Sequence, residues 1–319
     1  GVPLPKETIK ICKEADAILF GAVGDPRFDN DPTAKIRPEQ GLMELRQELE
    51  LFCNIRPIKA YQKLLKNSPL KKDIINGTDI VIFRELTGGI YFGRKELSKD
   101  GKIAFDACQY SVDEISRITH LAFKEAQNRR KKVTLIDKAN VLETSRLWRK
   151  TVTEIAKEYK DIELDFMFID NAAMQIVMNP KQFDVILTEN LFGDIISDVA
   201  TVIGGSIGML ASSSIGEKHA LFEPIHGSYP QAKGKEIANP LASILSAAML
   251  LEHLGLEEEA DAIQRAVDKS LDLGITTKDL KAKNQTAALT SKIGDFIADY
   301  IENQEDSNMN FKNIHTMMY

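Results

Sequence analysis

The stretch Thr188-Glu-Asn-Leu-Phe-Gly-Asp-Ile-Ile-Ser-Asp198, which follows the apolar run Phe183-Asp-Val-Ile-Leu187, constrains the fold of this chain more than any other. The run reads as a buried strand. Gly193 then reads as a turn, and Asp194 as the opening of a helix that carries Asp198 one turn later on the same face. The strand-then-helix pattern recurs: Lys132-Val-Thr-Leu-Ile136 precedes a helical stretch over 144–159, and Phe166-Met-Phe-Ile-Asp170 carries another carboxylate toward a helix. Short apolar runs alternating with longer amphipathic ones describe an α/β chain. In such chains ligands gather beyond the carboxyl ends of the strands.

Asp194 and Asp198 would point at one spot, which suits Mg2+, a hard cation that takes one or two protein carboxylates and leaves places for water and substrate oxygens. For an isolated D-x-x-x-D the plainer alternative is a helix cap and a solvated face. With 319 residues the chain is long enough for two domains. Its net charge of -6 argues against nucleic acid as the main partner. Cys12, Cys53 and Cys108 lie far apart without CxxC spacing, which disfavours a zinc site or a disulfide framework. No long uncharged apolar run or signal-peptide pattern indicates membrane insertion or secretion, and a reducing cytoplasm is the expected location.

From the start, a helix over 6–15 leads to a strand over 17–20 and the glycine turn Gly21-Ala-Val-Gly24-Asp-Pro. A helix over 39–50 carries Arg46, the strand Asn54-Ile-Arg56-Pro57 carries Arg56, and Ile80-Val-Ile-Phe83 delivers Arg84 ahead of Glu-Leu-Thr-Gly-Gly-Ile-Tyr91. Surface ion pairs are the ordinary fate of any one such arginine. Three converging would suit a dicarboxylic or tricarboxylic substrate, because guanidinium forks bind carboxylates bidentately. Lys138, at another strand end, is a candidate base. An amphipathic helix spans 111–130, and helices over 242–254, 257–273 and 289–301 finish the fold. The glycine- and proline-punctuated loop over 221–240 is long enough to suggest function. No G-x-G-x-x-G appears, so the ordinary Rossmann fingerprint is absent.

In order, GAVGDP, ELRQ, NIRP, RELTGGIYFG, DKANVL, IDNAAMQ, NLFGDIISD and EPIHGS with GKEIANP resemble the β-decarboxylating dehydrogenases of the isocitrate/isopropylmalate family, over about residues 1–300. The resemblance implies a two-domain α/β/α sandwich of the isopropylmalate dehydrogenase type, not a Rossmann fold. One discontinuous cofactor-side domain would comprise 1–51 and 205–302, and a central domain over 52–204 would hold the dimer interface and an arm. A mobile tail is expected over 303–319. The family's first strand, its GDGIGPE turn and the following strand have no counterpart here, so the start of the first domain is expected to be missing.

By the same resemblance Arg46, Arg56 and Arg84 clamp the malate carboxylates. Asp194 and Asp198 match metal ligands for Mg2+ or Mn2+, joined by Asp170 from a second subunit. Tyr91 and Lys138 match the acid/base pair, Lys138 also crossing the interface of a homodimer, and Asn140 beside it is counted among the substrate-binding residues. Leu42, Met43 and Val141 match the pocket around the γ-isopropyl group. Glu39 matches a residue near the nicotinamide ribose of NAD, and His226, Gly227, Ser228 and Asn239 match the adenosine-binding loop. Gln231 stands where the family has an aspartate facing the ribose hydroxyls; an amide does not repel a 2'-phosphate, which weakens exclusion of NADP. The implied reaction is oxidative decarboxylation of (2R,3S)-3-isopropylmalate to 4-methyl-2-oxopentanoate in leucine biosynthesis. An apolar wall at Leu42 and Met43 disfavours isocitrate, whose extra carboxylate would go unpaired. Tartrate- or homoisocitrate-type activity is the alternative within the class, and a non-catalytic dimeric scaffold or truncated remnant the alternative outside it.

Overall fold

The computed structural model describes residues 2–29, 37–281 and 285–303, so all but Asn303 of the expected tail lies outside the described residues. The strands are β1 (Ile18–Leu19), β2 (Cys53–Lys59), β3 (Asp79–Glu85), β4 (Lys95–Leu97), β5 (Ala104–Asp106), β6 (Lys132–Asp137), β7 (Glu163–Phe168), β8 (Val185–Thr188), β9 (Ala211–Ile215) and β10 (Ala220–Pro224). Among the described residues, eight form one sheet in the order β1-β10-β9-β2-β3-β8-β6-β7, while β4 and β5 make a separate exposed hairpin. The β3-β8-β6-β7 block is parallel, whereas β2 runs antiparallel to β3 and β9.

The helices are α1 (Lys6–Glu14), α2 (Pro26–Asp29), α3 (Pro38–Glu48), α4 (Lys72–Ile75), α5 (Val112–Gln127), α6 (Glu143–Ala156), α7 (Ile169–Met178), α8 (Asn190–Ala200), α9 (Leu241–His253), α10 (Glu257–Leu273) and α11 (Thr290–Glu302). α5 starts cleanly because Ser111 accepts the Glu114 N–H while the Glu114 side chain returns to the Ser111 N–H. The central strands are apolar without alternation because both faces are covered. Val81, Phe83, Val185 and Leu187 pack with Ile115, Phe123 and Trp148 on one face. Ile80, Ile82 and Ile186 pack with Ile176 and Ile196 on the other.

The register positions the chemistry. Arg84 on β3 pairs with Thr188 on β8, Ile136 on β6 pairs with the same Thr188, and Asp137 pairs with Phe168 on β7. Arg84, the start of α8, Lys138 and Asp170 therefore stand in a row along the carboxyl edge of the parallel block. Because β2 is antiparallel, its first residues reach the same edge, Asn54 opposite Arg84. Pro57 lies beyond Ile55, the last β2 residue paired with β9, and the N–H it lacks would point to that side and not to β3, so the proline costs no ladder bond.

Gly193 corrects the sequence expectation. It lies inside α8, which opens at Asn190 and is capped by Glu189, so Gly193 forms no turn and Asp194 opens no helix. A Cβ at Gly193 would stand 2.5 Å from Arg84 Cγ and 2.8 Å from Arg84 Cβ, so glycine is required for close packing.

Candidate functional site

Three arginines stand close together. Arg84 is 6% exposed; its Nε and Nη2 donate to Asn190 Oδ1 at 3.2 and 2.9 Å, and its Nη1 donates to Asp194 Oδ1 at 2.6 Å. Arg56 Nε donates to Asn54 Oδ1 at 2.7 Å and Nη1 to Ser197 Oγ at 2.7 Å. Arg56 also spans both helix carboxylates, lying 4.0 Å from Asp194 and 3.3 Å from Asp198. Arg46, on α3, donates to the buried Glu223 at 2.6 Å, while its own Nε is buried without a partner. Burial lowers the pKa of Arg84 to about 10, with Asp194 acting in the opposite sense. Arg84 is nevertheless a cation at neutral pH.

The Tyr91 hydroxyl donates to Asp194 Oδ2 at 2.8 Å. Burial, then that bond and the carboxylate's charge, push its pKa up to about 12. A small cavity of about 150 Å³ lies here, with Arg46, Arg84 and Asn190 on its polar side and Met43, Leu86 and Phe92 among its apolar lining. Leu42 is turned the other way, packing against the cluster of Leu45, Leu49 and Leu51. Residues 42, 45 and 49 share one face of α3, whereas 43 and 46 share another.

Lys138 and Asp170 form a second group. Lys138 Nζ donates to Asp170 Oδ1 at 2.7 Å, and that bond lowers the Asp170 pKa. Asn140 and the 60%-exposed Val141 follow Lys138 in the same turn. Among the described residues no three His, Cys, Asp or Glu side chains come together as a metal cage would need, so Asp170 does not join Asp194 and Asp198 within one chain. The oxygen-only pair Asp194 and Asp198 still fits a hard divalent cation that completes its shell from elsewhere.

A third group forms a cleft of about 660 Å³, lined by His226, Gly227, Ser228 and Asn239 together with Ser206, Gly208, Lys278 and Asp279. The glycine turn meets it: Ser228 Oγ donates to the Gly24 carbonyl at 2.5 Å. Gly24 has φ +135°, and a Cβ there would lie 3.2 Å from Glu39 Oε1 and 3.3 Å from Ser228 Oγ. Gly24, Glu39 and the 226–228 loop are thus one locality. Asn239 Nδ2 donates to Asp279 Oδ2 at 3.1 Å. Gln231 is exposed in the short 3-10 turn Pro230–Ala232.

Sequence reading missed Glu223, Asn190, Ser197 and Asn54, which orient the arginines, and Leu86 and Phe92, which wall the cavity. All six fall inside the EPIHGS, NLFGDIISD, NIRP and RELTGGIYFG motifs, the available signal; Asp279 had none.

The isocitrate/isopropylmalate dehydrogenase family profile matches residues 1–297. A 3-isopropylmalate dehydrogenase of Wolinella succinogenes is 55% identical over 302 residues, 94% of this chain and 84% of the relative. One of Bacteroides fragilis is 51% identical over 301 residues, 94% of this chain and 85% of the relative. The crystal structure of an isocitrate dehydrogenase from Methylococcus capsulatus superposes with a TM-score of 0.82 at 35% identity, covering 94% of this chain and 86% of that one.

Proposed function

The chain belongs to the isocitrate/isopropylmalate dehydrogenase family, and we infer that it oxidatively decarboxylates 3-isopropylmalate in leucine biosynthesis. The family uses NAD and a divalent metal. The observation that carries the substrate reading is the cavity between Arg46 and Arg84 on one side and Met43, Leu86 and Phe92 on the other. Paired carboxylates suit the arginines, and a branched alkyl group suits the apolar wall. A third carboxylate would be buried against that wall at a large desolvation cost.

In this reading the guanidiniums of Arg46, Arg56 and Arg84 bind the carboxylates, Arg46 and Arg84 from the lining of the cavity. Asp194 and Asp198 hold Mg2+ or Mn2+ with Asp170 of the partner subunit, in a cytoplasmic homodimer. The bound cation supplies Lewis acidity toward the substrate 2-hydroxyl. Lys138 of the partner subunit takes the hydroxyl proton as C2 is oxidised, and NAD is the hydride acceptor. After CO2 leaves, Tyr91 returns a proton to C3, a role suited to a hydroxyl that stays protonated at neutral pH. Glu39, Gly24, His226, Gly227, Ser228 and Asn239 receive the nucleotide, with Gln231 beside the adenosine ribose. The two-domain division at about residues 51 and 205 belongs to the same proposal.

The test is NADH formation from 3-isopropylmalate with Mg2+, beside matched reactions with isocitrate, tartrate and NADP. Turnover confined to isopropylmalate with NAD is expected. Isocitrate turned over equally well would overturn the apolar-wall argument, and comparable rates with NADP would show that Gln231 does not exclude the 2'-phosphate.

A further inference from the structure

The turn that carries Tyr91 and the helix that carries Asp194 and Asp198 meet at one buried polar point beside the substrate cavity. Tyr110, just before α5, is 6% exposed, and its ring meets Trp148 edge-on at 5.4 Å. Its hydroxyl accepts the Asn190 N–H at 3.0 Å and is hydrogen-bonded to the Glu189 carboxylate. Glu189, 7% exposed, also accepts the Phe192 N–H at 3.2 Å, capping the first turn of α8. The other side of the Tyr110 ring lies against Gly88, where a Cβ would stand 2.8 Å from its Cε1. Asn190 closes the circuit, donating from Nδ2 to the Gly88 carbonyl at 3.3 Å while its Oδ1 receives Arg84.

We propose that Tyr110 and Glu189 are positioning residues for the substrate clamp, fixing through Asn190 where Arg84 stands relative to Asp194 and Tyr91. A guanidinium this buried points where its acceptors point. Asn190 supplies both its backbone carbonyl, at 3.0 Å from Arg84 Nε, and its side-chain oxygen. The first N–H groups of a helix have no partner within it. Here those of Asn190 and Phe192 are held by Tyr110 and Glu189, so the first turn of α8 has one placement. Removing the Tyr110 hydroxyl leaves a buried donor unsatisfied, which the helix start relieves by shifting toward water. Such a shift carries Asn190, and with it Arg84. The proposal rests on the reading of Arg84 as a carboxylate clamp.

Steady-state kinetics of the full chain with Tyr110→Phe, Glu189→Ala and Glu189→Gln test it. Tyr110→Phe and Glu189→Ala are expected to lose on the order of 10- to 100-fold in kcat/KM for isopropylmalate, the scale of a small misplacement near the reacting groups. The KM for NAD is expected to stay within about twofold of the unaltered protein, since the nucleotide group is separate. Glu189→Gln keeps an oxygen for the Phe192 N–H and is expected to restore most of the loss. A purely structural role would lower thermal stability with both KM values unchanged, and that result overturns the proposal, as would a Glu189→Gln variant as impaired as Glu189→Ala. Failure of the underlying reading looks different: Arg84→Ala would leave the isopropylmalate KM unchanged.

Discussion

At neutral pH the Tyr91 hydroxyl keeps its proton, because burial and the Asp194 carboxylate both penalise the phenolate. Its folded pKa of about 12 lies above the value of 10 for a free phenol. The contribution of this group to stability is therefore complete below pH 10 and is lost as pH rises through about 12. Ultraviolet titration of the phenolate should show that Tyr91→Phe removes a transition with its midpoint near 12; removal of one near 10 would contradict the burial argument. Lys138→Met should leave substrate binding largely intact while kcat falls by roughly 100-fold or more, the size of a lost general base. Oxidation at the unaltered rate would remove Lys138 from the chemistry. Lys138, like Arg84, stands out in the sequence as a charged group at the end of an apolar run, whereas Tyr91 is matched through the family resemblance alone. The partners of the arginines were not legible, since Asn190 reaches Arg84, and Ser197 reaches Arg56, only through the placement of α8 against the sheet.

Among the helices, α8 is the one whose reading changed. Glycine serves both turns and close approaches, and a single sequence gives no means of separating them when the neighbour is a side chain 109 positions away; Arg84 packed on Gly193 decides it. Gly193→Ala would force either α8 or Arg84 to move. Overpacking of this kind costs about 1–3 kcal/mol. Denaturant unfolding should register that loss, with a raised KM for isopropylmalate alongside, whereas unchanged stability would mean the contact yields freely. α3 teaches the converse lesson. The spacing of 42, 45 and 49 against 43 and 46 already divides a core face from a cavity face, so the separation of Leu42 from Met43 was available in the sequence. β1, β2, β3, β6, β7, β8 and most helices were legible for the same reason, as apolar periodicity set by burial, whereas β4, β5 and β9 were not read and β10 lies where the sequence reads as the start of the 221–240 loop. The pairing order of the sheet was not, because it depends on contacts between distant segments.

At the scale of the molecule, that order separates the two chemical groups. Lys138 follows β6 and Arg84 lies next to the end of β3, with β8 between them, so two strand spacings, about 10 Å, divide them along one edge. Lys138 instead pairs with Asp170 on the neighbouring strand's helix, and the carboxylates of α8 face the arginines. The surface next to both groups is apolar where a lone subunit would meet water: Met174 and Met178 on α7 and Ile195 on α8 are each about half exposed or more, and the β4–β5 hairpin presents Leu97, Ile103 and Phe105. A twofold dimer that covers these helices could bring Lys138 and Asp170 of one subunit to Tyr91, Asp194 and Asp198 of the other. The test is complementation. Lys138→Met and Asp194→Asn proteins are each expected to be inactive alone, since both shared sites of either dimer carry the defect. After subunits exchange, a mixed dimer would hold one site with both substitutions and one with neither. Random exchange of equal amounts makes half the dimers mixed, so about a quarter of all sites, and of the unaltered activity, should return. If each site were built from a single chain, no recombination of subunits could restore any activity, and the mixture would stay as inactive as its parts.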